Sequence, residues 1–570
     1  MLLMNAFCIV GRRGAVAACI MLSACAAAPP SGAADPVGAN GYGAFLAARY
    51  ADAQQDPGTA TRFYAQALAA DPDNQSLAGE AFIAALLAGS PRAAALAGAN
   101  ADNALAVMLL GNNQALAGNY EAAITEFTQL PSDDLAGLIK PLLLAWAEAG
   151  NGAPAQAIAS LGPNLNNGPF GPVYVLNAAM IADVSRDMAD ASTYYAAAAN
   201  QAPNLRLAQI LASWQARQGN AAAARTELDE LAAAHPDLDI ALPALLANVA
   251  KPVITTPLDG MAEAYLTLAG SLDQPSQLLL RTTFLRFALA LRPDLAAARL
   301  LLANVQTATQ PGPNGAPAPP PTAVQMNQAL ATLQPIGQDD PLYGPAALQE
   351  ADLLAALNRP DEAVALLNRL AAATPGNPDA LQAAGDVLRG DNQYEAAIGQ
   401  YDKAIAMTGQ PPPAAAWTLY FDRGICEDQS GDWNAAQPDL LNALALAPNQ
   451  PYLLNYIGYS WAQRGEKLQQ AHDMLQEAAG LDPNDGAVID SLGYVSLRQG
   501  HTADALNLLT QAVELDPDDA EVNAHLGDAF YAAGMKLQAD YQWQRALSLK
   551  PDEKLQAEIT GRLKQVEPHA

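Results

Sequence analysis

Three prolines, Pro483, Pro517 and Pro551, stand 34 residues apart. Gly493 and Gly527, Ala505 and Ala539, and Ala512 and Ala546 keep the same interval. A repeat of this length cannot bury a core alone, so each copy must stack on the next and the chain must grow as a solenoid. Residues 520–553 show the unit most fully: Leu526, Gly527, Phe530, Gly534, Ala539, Trp543, Ala546 and Pro551. The spacing predicts two helices. Gly527 and Ala539 lie where they cross, Gly534 is in the turn, Phe530 and Trp543 fill the space between, and Pro551 stops the second helix. The triplets Asp482-Pro483-Asn484 and Asp516-Pro517-Asp518 are read as turn and cap residues for the following helix. They lack the spaced ligands of a calcium loop.

The pattern continues toward the N-terminus. Residues 417–449 carry Gly424, Gly431, Ala436, Leu440, Ala443 and Pro448, and residues 451–486 carry Gly458, Gly465, Ala471, Leu475, Ala478 and Pro483. Gly385, Ala397, Tyr401 and Ala404 mark residues 379–410, and weaker units end near Pro375, Pro293, Pro236 and Pro203. Ala60, Tyr64, Ala67 and Pro72 form the first unit, while Gly111, Gly118, Ala123 and Phe127 fall in residues 104–130. Leu-Gly early, Ala midway and Pro late in a 34-residue period resembles the tetratricopeptide repeat. That resemblance implies an all-α solenoid, a right-handed superhelix of about twelve to fourteen helix pairs. Apolar residues make up 51% of the chain but aromatics only 6%, which suits many closely packed, alanine-rich helices.

Two stretches interrupt the array. Residues 239–261 hold Pro243, Pro252 and Pro257 and read as an irregular seam. Residues 310–322 (QPGPNGAPAPPPT) are a proline-rich insertion, read first as a solvated loop and second as a polyproline ligand for a partner. The predicted organisation is an N-terminal arm at 41–238, central repeats at 262–343, a C-terminal arm at 344–553 and a helical tail at 554–570.

The first residues read as an address. Arg12 and Arg13 precede a short apolar run, residues 14–22, that is too short to span a bilayer. Leu22-Ser23-Ala24-Cys25 resembles the lipobox of bacterial lipoproteins, which implies a signal peptide at 1–24, lipidation of Cys25 and a tether at 25–40. Ala26, by resemblance to the bacterial sorting rule, points to the outer membrane, facing the periplasm. With Cys8 and Cys19 in the signal and Cys25 acylated, Cys426 alone remains as a thiol; it is read as a packing residue, and no disulfide framework is expected.

The whole chain has 29 basic and 58 acidic residues, and loss of Arg12 and Arg13 would leave 27 against 58. A charge of this sign lacks the cations that displace counterions from phosphates, so no nucleic-acid partner is expected. No nucleophile elbow, zinc-protease helix or phosphate-binding loop occurs, and His235, His472, His501, His525 and His569 have no metal-ligand spacing. The expectation is therefore no catalytic residue, no metal and no cofactor. His525, near Asn523 and Asp528, is read as a hydrogen-bonded residue on an exposed face.

A solenoid offers a surface instead of a pocket. On the first helices of the C-terminal units, Asn455, Tyr459, Asp490, Tyr494, Arg498, Asp528 and Tyr531 are the candidate partner-binding residues of the concave face. Phenols give area and one hydrogen bond, and amides pair with peptide backbone. Equally, each tyrosine could simply stack between successive helices. The phrases Gln450-Pro451-Tyr452-Leu453-Leu454-Asn455-Tyr456-Ile457-Gly458-Tyr459, Asp490-Ser491-Leu492-Gly493-Tyr494 and Asn523-Ala524-His525-Leu526-Gly527-Asp528-Ala529 resemble a group of long bacterial repeat lipoproteins. Members are periplasmic adaptors, some of which dock a carboxyl-terminal processing protease and its cell-wall hydrolase substrates. The resemblance implies such an adaptor. An assembly factor for a pilus, secretion or polysaccharide-export system is a further expectation, and a cell-envelope hydrolase or carbohydrate-active enzyme the least favoured.

Overall fold

The computed structural model describes residues 41–132, 134–166, 168–201, 204–272, 274–309 and 318–566. The signal, Cys25, the tether and most of the proline-rich insertion lie outside the described residues. Thirty α-helices and no strand occur among the described residues. Setting aside single helices α13 and α30 leaves fourteen pairs, at the top of the expected range. No helix of the described residues is long and apolar enough to cross a membrane.

The chain forms two compact units, divided between Leu366 and Leu367. The first contains α1 (Gly41–Ala53), α2 (Pro57–Ala70), α3 (Gln75–Leu87), α4 (Arg92–Ala97), α5 (Ala104–Leu116), α6 (Tyr120–Thr128) and α7 (Asp134–Gly150). It continues through α8 (Pro154–Leu161), α9 (Gly171–Val184), α10 (Met188–Ala198), α11 (Leu205–Arg217), α12 (Ala221–Ala234) and α13 (Leu242–Asn248). After these come α14 (Pro257–Ser271), α15 (Leu278–Leu291), α16 (Ala296–Thr307), α17 (Ala323–Leu333), α18 (Tyr343–Ala356) and most of α19 (Pro360–Ala373). The predicted seam at 239–261 thus contains α13 and the start of α14, and the non-helical part narrows to residues 249–256. Its prolines do not prevent helix: Pro243 and Pro257 sit in first turns, where the missing amide hydrogen costs nothing.

That short break reverses the chain. The hairpin α14–α15 lies across the first helices of earlier pairs, α14 on α7 and α9, and α15 on α3 and α5. Gly260 permits this: a Cβ there would stand 2.2 Å from the indole of Trp146. Tyr265 exchanges hydrogen bonds with Asn112 at 3.1 and 3.2 Å and stacks near Phe284 and Phe287. The Arg206 guanidinium donates two bonds at 3.1 Å and one at 2.6 Å to Glu263, whose side chain is 1% exposed. The inner helices of the first unit are therefore occupied by the protein's own chain. The central residues, read as repeats at 262–343, thus include a hairpin that packs back on earlier helices.

The second unit is a regular array: α20 (Asp379–Gly390), α21 (Tyr394–Met407), α22 (Trp417–Gln429), α23 (Trp433–Leu446), α24 (Pro451–Arg464) and α25 (Leu468–Leu481). It ends with α26 (Gly486–Arg498), α27 (Thr502–Leu515), α28 (Ala520–Ala532), α29 (Lys536–Ser548) and α30 (Glu553–Val566). The predicted roles of the repeat residues hold. A Cβ on Gly527 would stand 2.4 Å from Trp543, Ala539 and Ala546 are fully buried, and Gly534 has φ +77° in the turn. The caps differ by one position from the expectation. Asp485 and Asp519, each following its proline triplet, accept the free amides of α26 and α28. The first aspartates of the triplets, Asp482 and Asp516, instead cap the preceding helices with their backbone amides.

Candidate interaction face of the second unit

The first helices of the pairs, α20, α22, α24, α26 and α28, run side by side with α30, and polar contacts join each to the next. Arg389 on α20 lies 3.5 Å from Asp422 on α22. Arg464 on α24 pairs with Asp428 on α22 and stacks on Trp433. Arg498 on α26 donates to the carbonyl of Gln463 at 3.3 Å. Asp490 on α26 meets His525 on α28 at 2.8 Å, and Asp528 on α28 meets Arg562 on α30 at 3.2 Å. Burial of unpaired charge is costly, so these partners hold successive repeats in register.

Four of the seven predicted residues come together at one spot. The rings of Tyr459 and Tyr494 are 5.5 Å apart, and Tyr494 lies 4.5 Å from the imidazole of His525, which holds Asp490. Arg498 donates to the Tyr494 hydroxyl at 3.0 Å. The Tyr459 hydroxyl reaches two repeats along and donates to Glu521. These tyrosines therefore stack between helices while keeping an edge on the face. Asp528 accepts from the Trp543 indole at 3.1 Å and lies one repeat away, as does Tyr531, which stacks on Trp543 and is exposed.

His525 corrects the sequence reading. It is 6% exposed and sits in an ion pair. Burial by itself would disfavour the imidazolium, but the Asp490 carboxylate outweighs that and pushes its pKa up to about 9. Asn455 and Asp490 hold the same place on α24 and α26, three residues before Gly458 and Gly493, whereas His525 stands one place further on, two before Gly527, so the repeat spacing does not align it with them. Glu521 was missed, because its partner is 62 residues away.

Among the described residues, three buried acceptor atoms on these helices have no partner, the first being Glu427 Oε2 on α22. Asn455 Oδ1 and Asp490 Oδ1 are buried and make no hydrogen bond, although Asp490 is only 4% exposed. At the other end of the face, burial and neighbouring Asp386 push Asp422 up to about 7, against the opposing pull of Arg389. Cys426, fully buried close by, is pushed up to about 12 by burial, as suits a packing residue. Among the described residues no group of His, Cys, Asp or Glu has the arrangement of a metal site.

Residues 348–418 and 421–486 match the family described as tetratricopeptide repeat, and residues 493–534 match a second family described as TPR repeat. Residues 348–534 thus carry tetratricopeptide repeats. A TPR repeat-containing protein of Pseudomonas aeruginosa is 29% identical over 162 residues, which are 28% of this chain and 27% of that protein. The chain thus matches about a quarter of that relative's length. Among solved structures, the APC/C hetero-tetramer Cut9–Hcn1 is 14% identical with a TM-score of 0.37, covering 92% of this chain and 96% of that one. YrrB, titled a TPR protein with an unusual peptide-binding site, is 20% identical with a TM-score of 0.27, covering 35% and 95%. Likenesses this loose carry no argument. The repeats themselves define an all-α solenoid whose general use is to hold other proteins.

Proposed function

We propose that the protein is a lipid-anchored adaptor of the outer membrane, facing the periplasm, whose second unit holds partner proteins on α24, α26 and α28. The observation that carries the binding face is the row of rings that keep an edge at its surface: Tyr459 and Tyr494, half-buried and 5.5 Å apart, and Tyr531, which is exposed. These rings offer area for a partner's side chains. The first unit's inner helices are filled by α14–α15, which leaves the second unit as the open array. Lipid anchoring rests on Leu22-Ser23-Ala24-Cys25, and the partners follow from the resemblance: a carboxyl-terminal processing protease together with cell-wall hydrolases.

The test is affinity capture from envelope extract with the chain from residue 26 onward, read by mass spectrometry. A processing protease recovered with hydrolases supports the adaptor. Pilus, secretion or polysaccharide-export components would replace it with an assembly role on the same face. Because Asp490 and Tyr459 have partners within the protein, the informative variant is Asn455→Ala with Tyr531→Ala. Recovery should fall while the thermal melt stays unchanged; undiminished capture would remove the face from consideration.

A further inference from the structure

The first and last helices of the described residues, α1 and α30, are finished differently. At the C-terminal end, α30 buries Ile559 on the last pair and turns Glu553, Lys554, Glu558 and Lys564 to solvent. A polar outer face of this kind is what a terminal solenoid element needs for solubility. At the N-terminal end, α1 buries Ala44, Ala48 and Ala51 but turns Tyr42, Leu46 and Tyr50 outward, 69%, 50% and 69% exposed. Residues four apart form one stripe along a helix. Arg49 is the charge at its edge, 3.7 Å from Glu80.

A second copy is a poor occupant for this stripe. A single helix of 13 residues falls far short of the roughly 800 Å² per partner that a stable dimer buries. Residues 26–40 are a poor occupant too, with Val37 as their one large aliphatic side chain. A lipid–water interface fits. There a phenol ring lies among apolar atoms while its hydroxyl reaches the headgroups, and leucine lies below. Chain length fits as well: Cys25 precedes Gly41 by sixteen residues, which span at most about 55 Å.

We propose that α1 lies on the membrane, with Tyr42, Leu46 and Tyr50 seated in the interface of a zwitterionic lipid surface. The proposal takes its tether from the lipid-anchor reading. It assigns α1 a contact of its own, which sets the N-terminal end of the first unit against the bilayer. The strongly acidic chain argues for zwitterionic over anionic headgroups.

The experiment uses the chain with its signal removed and an N-terminal hexahistidine, held on phosphatidylcholine–phosphatidylethanolamine vesicles by nickel-chelating lipid. An environment-sensitive fluorophore is placed at Leu46→Cys or, as a control, at Glu558→Cys, both in a Cys25→Ser and Cys426→Ala background. The expected result is emission at position 46 that rises several-fold and shifts to the blue on vesicles, with position 558 unchanged and both thermal melts intact. Equal responses at the two positions, or none at position 46, overturn the proposal. So does a response at position 46 that follows protein density on the vesicle, which is the mark of a second copy. Because the tether is supplied artificially, this result is independent of acylation at Cys25. Acylation is read separately from the mass of protein extracted from envelopes.

Discussion

Replacing Arg206 by Met tests whether α14 is held across the first unit as a fixed part of it. The Arg206 guanidinium spends two donors on Glu263, with Nε shared between both carboxylate oxygens, and a third, at 2.5 Å, on Gln209. Glu263 is 1% exposed and Arg206 15%, so water cannot replace the lost partner. Removing one member of such a pair leaves a buried carboxylate uncompensated, at a cost of about 3–5 kcal/mol. That is a large share of an ordinary stability of about 5–15 kcal/mol. Removing both charges is different. Arg206→Met with Glu263→Leu discards the desolvation cost of both ions, so the double variant should return to within about 1–2 kcal/mol of the parent. A chain with two units need not unfold in one step, so hydrogen exchange of residues 257–271 is the appropriate assay, supported by urea melts. Amides of α14 that open through local detachment should exchange about a hundredfold faster or more in Arg206→Met, and near the parental rate in the double variant. A single-variant loss below about 1 kcal/mol, or a double variant as damaged as the sum of the singles, would refute the reasoning.

Other outcomes follow from the second unit. Gly527→Val drives a side chain into Trp543 and should cost about 1–3 kcal/mol or more in a denaturant melt; Gly534→Ala, at φ +77° with open space around it, should cost about 1 kcal/mol. His525 has a folded pKa raised from 6.5 to about 9, so its pair with Asp490 contributes fully below pH 6.5 and is lost as pH rises through 9. The urea midpoint of the parent should therefore fall between pH 6.5 and 9 relative to that of His525→Gln, and parallel profiles would show that the pair does not titrate. Cys426, fully buried with its thiol pushed up to about 12, should resist thiol reagents in the native protein and react in urea; rapid native labelling would place it at the surface.

Much of the second unit was legible from sequence because its decisive contacts are local. Gly527 meets Trp543 sixteen residues later, and a repeat states that relation again at Gly493 with Leu509 and at Gly458 with Leu475. The candidate face was legible in part. Asn455, Tyr459, Asp490 and Tyr494 were found from helical spacing, but the same spacing could not say which of their polar atoms are already used. Tyr459 spends its hydroxyl on Glu521 and Asp490 one oxygen on His525, and both partners lie a repeat or more away.

Helix, turn and 34-residue pairing were thus decided by residues close together along the chain, where glycine, alanine and proline act through sterics alone. The α14–α15 hairpin was not. Gly260 against Trp146, Tyr265 against Asn112 and Glu263 against Arg206 join positions from 57 to 153 residues apart. Nothing in the local pattern of α14 separates a helix that continues the array from one that turns back into it. Only the tertiary structure decides that, because burying the same apolar and charged groups satisfies either arrangement until the particular partners are in contact.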